Sequence, residues 1–126
     1  MRITLEWLKE KGACREMCSE FEKQFPEGGE YQDVLDALAK ENKVDFAQWL
    51  LRHAGPMNTL LEIDELTTNT SVFFAGTVVV KNTIRVGKWL LAGGSIKAGG
   101  SIKAGASIEA GTSIDAGTNI KAGESI

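Results

Sequence analysis

SIKAGG, SIKAGA, SIEAGT, SIDAGT, NIKAGE and a final SI run from Ser95 to Ile126, and this six-residue period decides the fold. It places Ile96, Ile102, Ile108, Ile114, Ile120 and Ile126 on one register. Val72, Val78, Ile84 and Leu90 occupy the same slot further back, with neighbours that have drifted. A repeat this short cannot bury its own apolar residue, so copies must stack into a solenoid.

Within each copy the isoleucine is followed by Lys97, Lys103, Glu109, Asp115 or Lys121 and then by Ala98, Ala104, Ala110, Ala116 or Ala122. Apolar, charged, apolar is the alternation of a strand with its charge facing water. The glycine that comes next (Gly99, Gly105, Gly111, Gly117, Gly123) is expected to turn the chain through positive φ. Each hexapeptide therefore reads as a short strand plus a corner.

These residues resemble the hexapeptide-repeat left-handed β-helix, in which an aliphatic residue is followed by Ala-Gly and a small residue. The resemblance is strongest over Leu90 to Ile126 and extends to Val72. It implies that three hexapeptides make one triangular coil and that residues eighteen apart stack. A right-handed, bactofilin-like solenoid is the competing reading, because periodicity does not encode handedness.

The first half follows a different grammar. Cys14, Met17, Cys18, Phe21 and Phe25 form one helical stripe, and Val34, Leu35, Leu38 and Ala39 form another, with Pro26, Gly28 and Gly29 between them. A third helix reads Asp45 as N-cap, Phe46, Trp49 and Leu50 as its face, and Gly55-Pro56 as its end. Thr4 caps a short first helix that stops at Gly12. The expected fold is α+β: a helical domain over residues 1–57, a transition segment over 58–71, and a triangular β-helix of about three coils over 72–126. So small a helical domain should pack on the first coil and close that end, with Trp7, Trp49 and Trp89 at the junction.

The strings WLKEKGACREMCSEFEKQF and DFAQWLLRHAGP resemble a helical module of phage and prophage proteins of unknown function. That resemblance covers about half the chain and implies a mobile-element origin. The 126 residues carry a net charge of −3, with a pI near 5.2, and lack the basic excess of a nucleic-acid binder. No apolar run reaches membrane-spanning length and no signal core follows the start, so the cytoplasm of a bacterial host is the expected location.

Catalysis finds little support in these residues. The hexapeptide family includes acyltransferases, which would imply a coenzyme-A donor and a catalytic histidine on a coil. This chain's only histidine, His53, lies in the helical region, and no long loop leaves the repeats. A γ-class carbonic anhydrase needs several histidines for zinc. Cys14 and Cys18 share a helix face and read as two small core residues more readily than as a metal or redox pair. His53, in a last helical turn, suits the negative end of the helix dipole. No GxxxxGK[ST] phosphate loop occurs, and Thr112 and Thr118 make no outward threonine ladder of the ice-binding kind. The sequence thus assigns no catalytic residue, cofactor or metal, and the two cysteines are too few for a disulfide framework.

Eighteen-residue stacking would place Arg85, Lys103 and Lys121 on one face, Val79, Lys97 and Asp115 on a second, and Phe73, Leu91 and Glu109 on the third. Arg85, Lys103 and Lys121 are the candidate partner-binding residues, read against a bland solvated face. Two functions remain. One is a stoichiometric binding protein acting on a host protein complex, such as an anti-CRISPR inhibitor of a bacterial defence complex. The other is a self-assembling structural protein. A homodimer through the C-terminal coil, with Ile114, Ile120 and Ile126 near the contact, is expected if the helices close the opposite end. The alternative is that further coils follow Ile126.

Overall fold

The computed structural model describes residues 1–126. The helical half contains β1 (Arg2–Ile3), α1 (Leu5–Glu10), α2 (Arg15–Gln24), β2 (Gly29–Glu30), α3 (Tyr31–Lys40) and α4 (Val44–Ala54). Thr4 caps α1 as the sequence indicates, its hydroxyl accepting from the Trp7 amide at 3.1 Å. Lys43, not Asp45, is the N-cap of α4, and Asp45 instead lies in the first turn, where its charge suits the helix dipole. An antiparallel pairing of β1 with β2, absent from the sequence reading, fastens the N-terminus to the start of α3.

Strands then follow one another around a three-sided solenoid. They are β3 (Leu60–Ile63), β4 (Leu66–Thr68), β5 (Val72–Phe74), β6 (Thr77–Val80), β7 (Ile84–Val86), β8 (Leu90–Ala92), β9 (Ile96–Ala98), β10 (Ile102–Ala104), β11 (Ile108–Ala110), β12 (Ile114–Ala116) and β13 (Ile120–Ala122). Face 1 stacks β3, β6, β9 and β12, face 2 stacks β4, β7, β10 and β13, and face 3 stacks β5, β8 and β11, all in parallel. Ile84, Ile102 and Ile120 lie opposite one another, the eighteen-residue register.

About four coils are present, one more than the sequence suggested, because the segment read as a transition already contains β3 and β4. Their register explains why they were hidden. Leu61 pairs with Val78 across seventeen residues, whereas Leu66 pairs with Ile84 across eighteen. One side of the first coil is therefore a residue short, which shifts Leu61 and Ile63 inward, leaves Leu60 56% exposed, and breaks the six-residue rhythm.

The corner glycines also act for a reason other than the expected one. Positive φ occurs at Gly12, Gly28 and Gly55, all in the helical half, and at no glycine of the repeats. What the repeats require is close approach. A Cβ on Gly105 would lie inside the van der Waals shell of the Gly87 carbonyl oxygen one coil below, and Gly123 stands in the same relation to Gly105. Coils about 4.8 Å apart leave no space for a methyl group at a point where the chain bends.

Two apolar cores lie on either side of face 3. The solenoid interior contains Val78, Ile84, Leu90, Ile96, Ile102 and Ile108 and takes no residue from the helices. The other core joins Leu8, Phe21, Leu35 and Leu50 to Phe73, Ala75 and Leu91 of the solenoid. Phe73 and Leu91 point outward from β5 and β8 yet are only 1% exposed, because the helices cover them. The helical half therefore packs along face 3, and at the first coil α3 reaches the outer edge of β5. The Gln32 side chain fixes this contact, donating to the Phe73 carbonyl and accepting from the Ala75 amide, both at 2.8 Å. Ser71, buried at the edge of the contact, donates to Asn42 at 2.5 Å and accepts from the Trp89 amide.

Tyr31, fully buried at the start of α3, donates to the Gly55 carbonyl at 2.9 Å. Burial pushes its hydroxyl from 10.0 up to about 12. A raised acid contributes stability that is complete below the unfolded value and lost as pH rises between the two. The chain has one tyrosine, so tyrosinate absorbance in the folded protein should rise near pH 12, and in urea near pH 10; coincident folded and unfolded titrations would contradict the buried placement. Gly105→Ala should lower stability by about 1–3 kcal/mol in denaturant unfolding. Gly100→Ala should cost less, since Asn82 and Thr118 occupy the equivalent corner of neighbouring coils.

Candidate functional site

Each solenoid face ends differently because each outward strand position holds different chemistry. Face 3 is covered by helices. Face 1 carries Glu62, Val79, Lys97 and Asp115 in register, so opposite charges sit side by side. Face 2 carries Thr67, Arg85, Lys103 and Lys121 in register, a ladder of one sign. Adjacent rungs lie about 4.8 Å apart, and like charges directly opposite on neighbouring strands repel.

Nothing within the molecule neutralises that ladder. Its two ion pairs join the N-terminal amine and Arg2 to Glu30 in the helical half, at 3.7 and 3.8 Å. Charge is segregated along the chain. Residues 1–56 hold eight basic and eleven acidic side chains; residues 57–70 hold Glu62, Asp64 and Glu65 with no base; residues 71–126 hold six bases and three acids. The modest net charge thus conceals a cationic solenoid body with an acidic first coil and acidic helices.

A groove of about 580 Å³ lies between α4 and the last strand of face 3, with Leu51, Arg52, Pro56, Ile108, Glu109 and Ile114 among its walls. Gln48 closes one side by donating to Glu109 at 2.9 Å. Neither a histidine nor a cysteine lines it. His53 is exposed in the last turn of α4, stacked on Trp49 with ring centroids 4.0 Å apart and with Nδ1 2.8 Å from the Trp49 carbonyl, so that nitrogen donates. Trp7 meets Trp49 edge to face within the helical half, whereas Trp89 packs from the solenoid onto the helical core.

The cysteines do not form a matched pair of core residues. Cys14 is the exposed N-cap of α2, outside the helical stripe, while half-buried Cys18 donates its thiol toward the Ala13 carbonyl at 3.9 Å. No three His, Cys, Asp or Glu side chains are grouped to hold a metal ion. No helix is long and apolar enough to cross a membrane. Ile114, Ile120 and Ile126 come together on the last coil, the first two half-buried and Ile126 62% exposed.

Residues 1–54 match the family model described as the YdhT N-terminal domain. That match spans α1 to α4 and ends before the solenoid. Neither the curated proteins nor the solved structures give a match. Sequence reasoning missed Gln32 and Gln48, the two amides that tie helices to solenoid, since glutamine on a helix surface carries no periodic signal. It did place Phe73 and Leu91 at outward positions, and their apolar character was the available sign that face 3 is covered.

The ladder should cost stability. Lys103→Gln removes the central charge and should raise stability at low salt by about 0.2–1 kcal/mol, the gain shrinking as salt screens the wild type. Equal stabilities at low salt in thermal melts would contradict unrelieved repulsion on face 2.

Proposed function

We propose that this chain is a non-enzymatic binding protein that acts stoichiometrically, presenting face 2 to an acidic macromolecule. The observation that supports this reading is the in-register ladder of Arg85, Lys103 and Lys121 on a rigid, uncovered face with no acidic partner of its own. An acidic surface brought against it would relieve repulsion already present and add steered encounter. The narrower form of the proposal is a host protein complex in a bacterial cytoplasm, inhibited in the manner of an anti-CRISPR protein; the phage-like character of WLKEKGACREMCSEFEKQF and the small size favour it.

A pull-down from a bacterial host should retain a defined acidic partner, and Lys103→Glu should weaken it about tenfold, or ~1.4 kcal/mol. Retention unaffected by combined reversal of Arg85, Lys103 and Lys121 would contradict the proposed surface.

A second reading, a self-assembling structural protein, is favoured by the apolar side chains Leu61, Leu66 and Val72 of the first coil, which stay half-buried. Contact through Ile114, Ile120 and Ile126 belongs to this reading. Its requirement is association of the pure protein.

A further inference from the structure

The three strands of the first coil do not share one fate at their outer edges. Successive residues of an extended strand turn their backbone N–H and C=O groups to alternate sides. On β5 the Phe73 carbonyl and the Ala75 amide point away from the second coil, and the Gln32 side chain of α3 meets both at 2.8 Å. Gln32 thus stands where a further strand would. On β3 the Thr59 and Ile63 carbonyls accept from Thr77 and Lys81 of the second coil, at 2.9 and 3.0 Å. The same alternation directs the backbone groups of Leu60 and Glu62 to the opposite side, where β3 has no neighbour. Leu60 is 56% exposed, and the inward Leu61 and Ile63 stay half-buried.

Charge selects what can fill this edge. Glu62 stands outward on β3, Asp64 and Glu65 follow at the corner, and all three are exposed. No base occurs between residues 57 and 80, and Lys81 forms no ion pair with any of them. A second copy would set these charges against their own kind, which is how edge charges discourage self-pairing. A strand with Lys or Arg at its outward positions is attracted instead.

We propose that the outer edge of β3 takes an extended basic segment of another protein as an added strand. The other side of β3 gives the pattern: Val78 and Val80 lie opposite Leu61 and Ile63. A guest with apolar residues at the same inward positions would cover Leu61 and Ile63 and place a base across from Glu62. Its main chain would satisfy the free groups of Leu60 and Glu62, while the alternating side chains supply selectivity. The site is separate from face 2 and requires no self-association.

Calorimetric titration of the full chain with a short peptide alternating valine and lysine tests this. The lysine peptide should bind, more weakly as salt rises, and its glutamate counterpart should not. Proline is tolerated where a strand N–H faces no partner, so Leu60→Pro removes a donor from the open edge and none from the pairing with β6. Binding should fall about tenfold in Leu60→Pro, and as much in Glu62→Gln with Asp64→Asn, while Lys103→Gln on face 2 leaves it unchanged. Thermal melts show whether the variants remain folded. N-methylation of the peptide's backbone should abolish binding with the protein untouched. Binding that follows charge yet ignores both Leu60→Pro and N-methylation would overturn strand addition, as would no binding of the lysine peptide; neither result touches the acidic-partner proposal.

Discussion

The outward side chains of face 3 must be kept from water, and the rest of the structure depends on how that is done. Phe73 and Leu91 occupy positions that a strand gives to solvent. Burying two such side chains favours the docked state by roughly 1.5–3 kcal/mol each, and the helices supply the cover. In exchange, β8 becomes buried on both faces: Leu90 at 0% exposed belongs to the interior, and Leu91 at 1% to the helical core. Strands β5 and β8 therefore couple the two cores, Phe73 and Leu91 facing the helices while Val72, Phe74 and Leu90 face the interior.

Side docking decides which surfaces remain free. It removes face 3 from use and leaves faces 1 and 2 uncovered. Face 1 alternates sign between Lys97 and Asp115, so it gains little from a charged partner. Face 2 concentrates one sign on a scaffold whose spacing is fixed by backbone hydrogen bonds. The two amides that lock the docking, Gln32 on β5 and Gln48 on β11, hold the helices along the coil axis and away from the ladder.

Much of this was legible in the sequence. The isoleucine slot identified the interior, because a six-residue period with alternating polarity admits one inward position per strand. The same stacking arithmetic put Arg85, Lys103 and Lys121 on one face. The first coil escaped notice because five residues, not six, separate Leu61 from Leu66. Glycine was recognised as the corner residue, but its necessity comes from a carbonyl in the adjacent coil, a constraint between residues eighteen apart that local φ preference does not express. The helices pack on the first coil as expected, through α3 on β5, whereas their extension along face 3 to β8 and β11 was not legible in the helical stripes. Helical stripes show that a face must be buried and are silent on whether the solenoid's side or its end buries it; Phe73 and Leu91 held the answer.

Native-state amide hydrogen exchange tests side docking most directly, since protection follows the free energy of local opening. Helices packed along face 3 make the second coil, and β8 above all, the most protected part of the solenoid, with protection falling toward both the first and the last coil. Greatest protection in β3 and β4 of the first coil would show that the helices close that end, and would contradict the account.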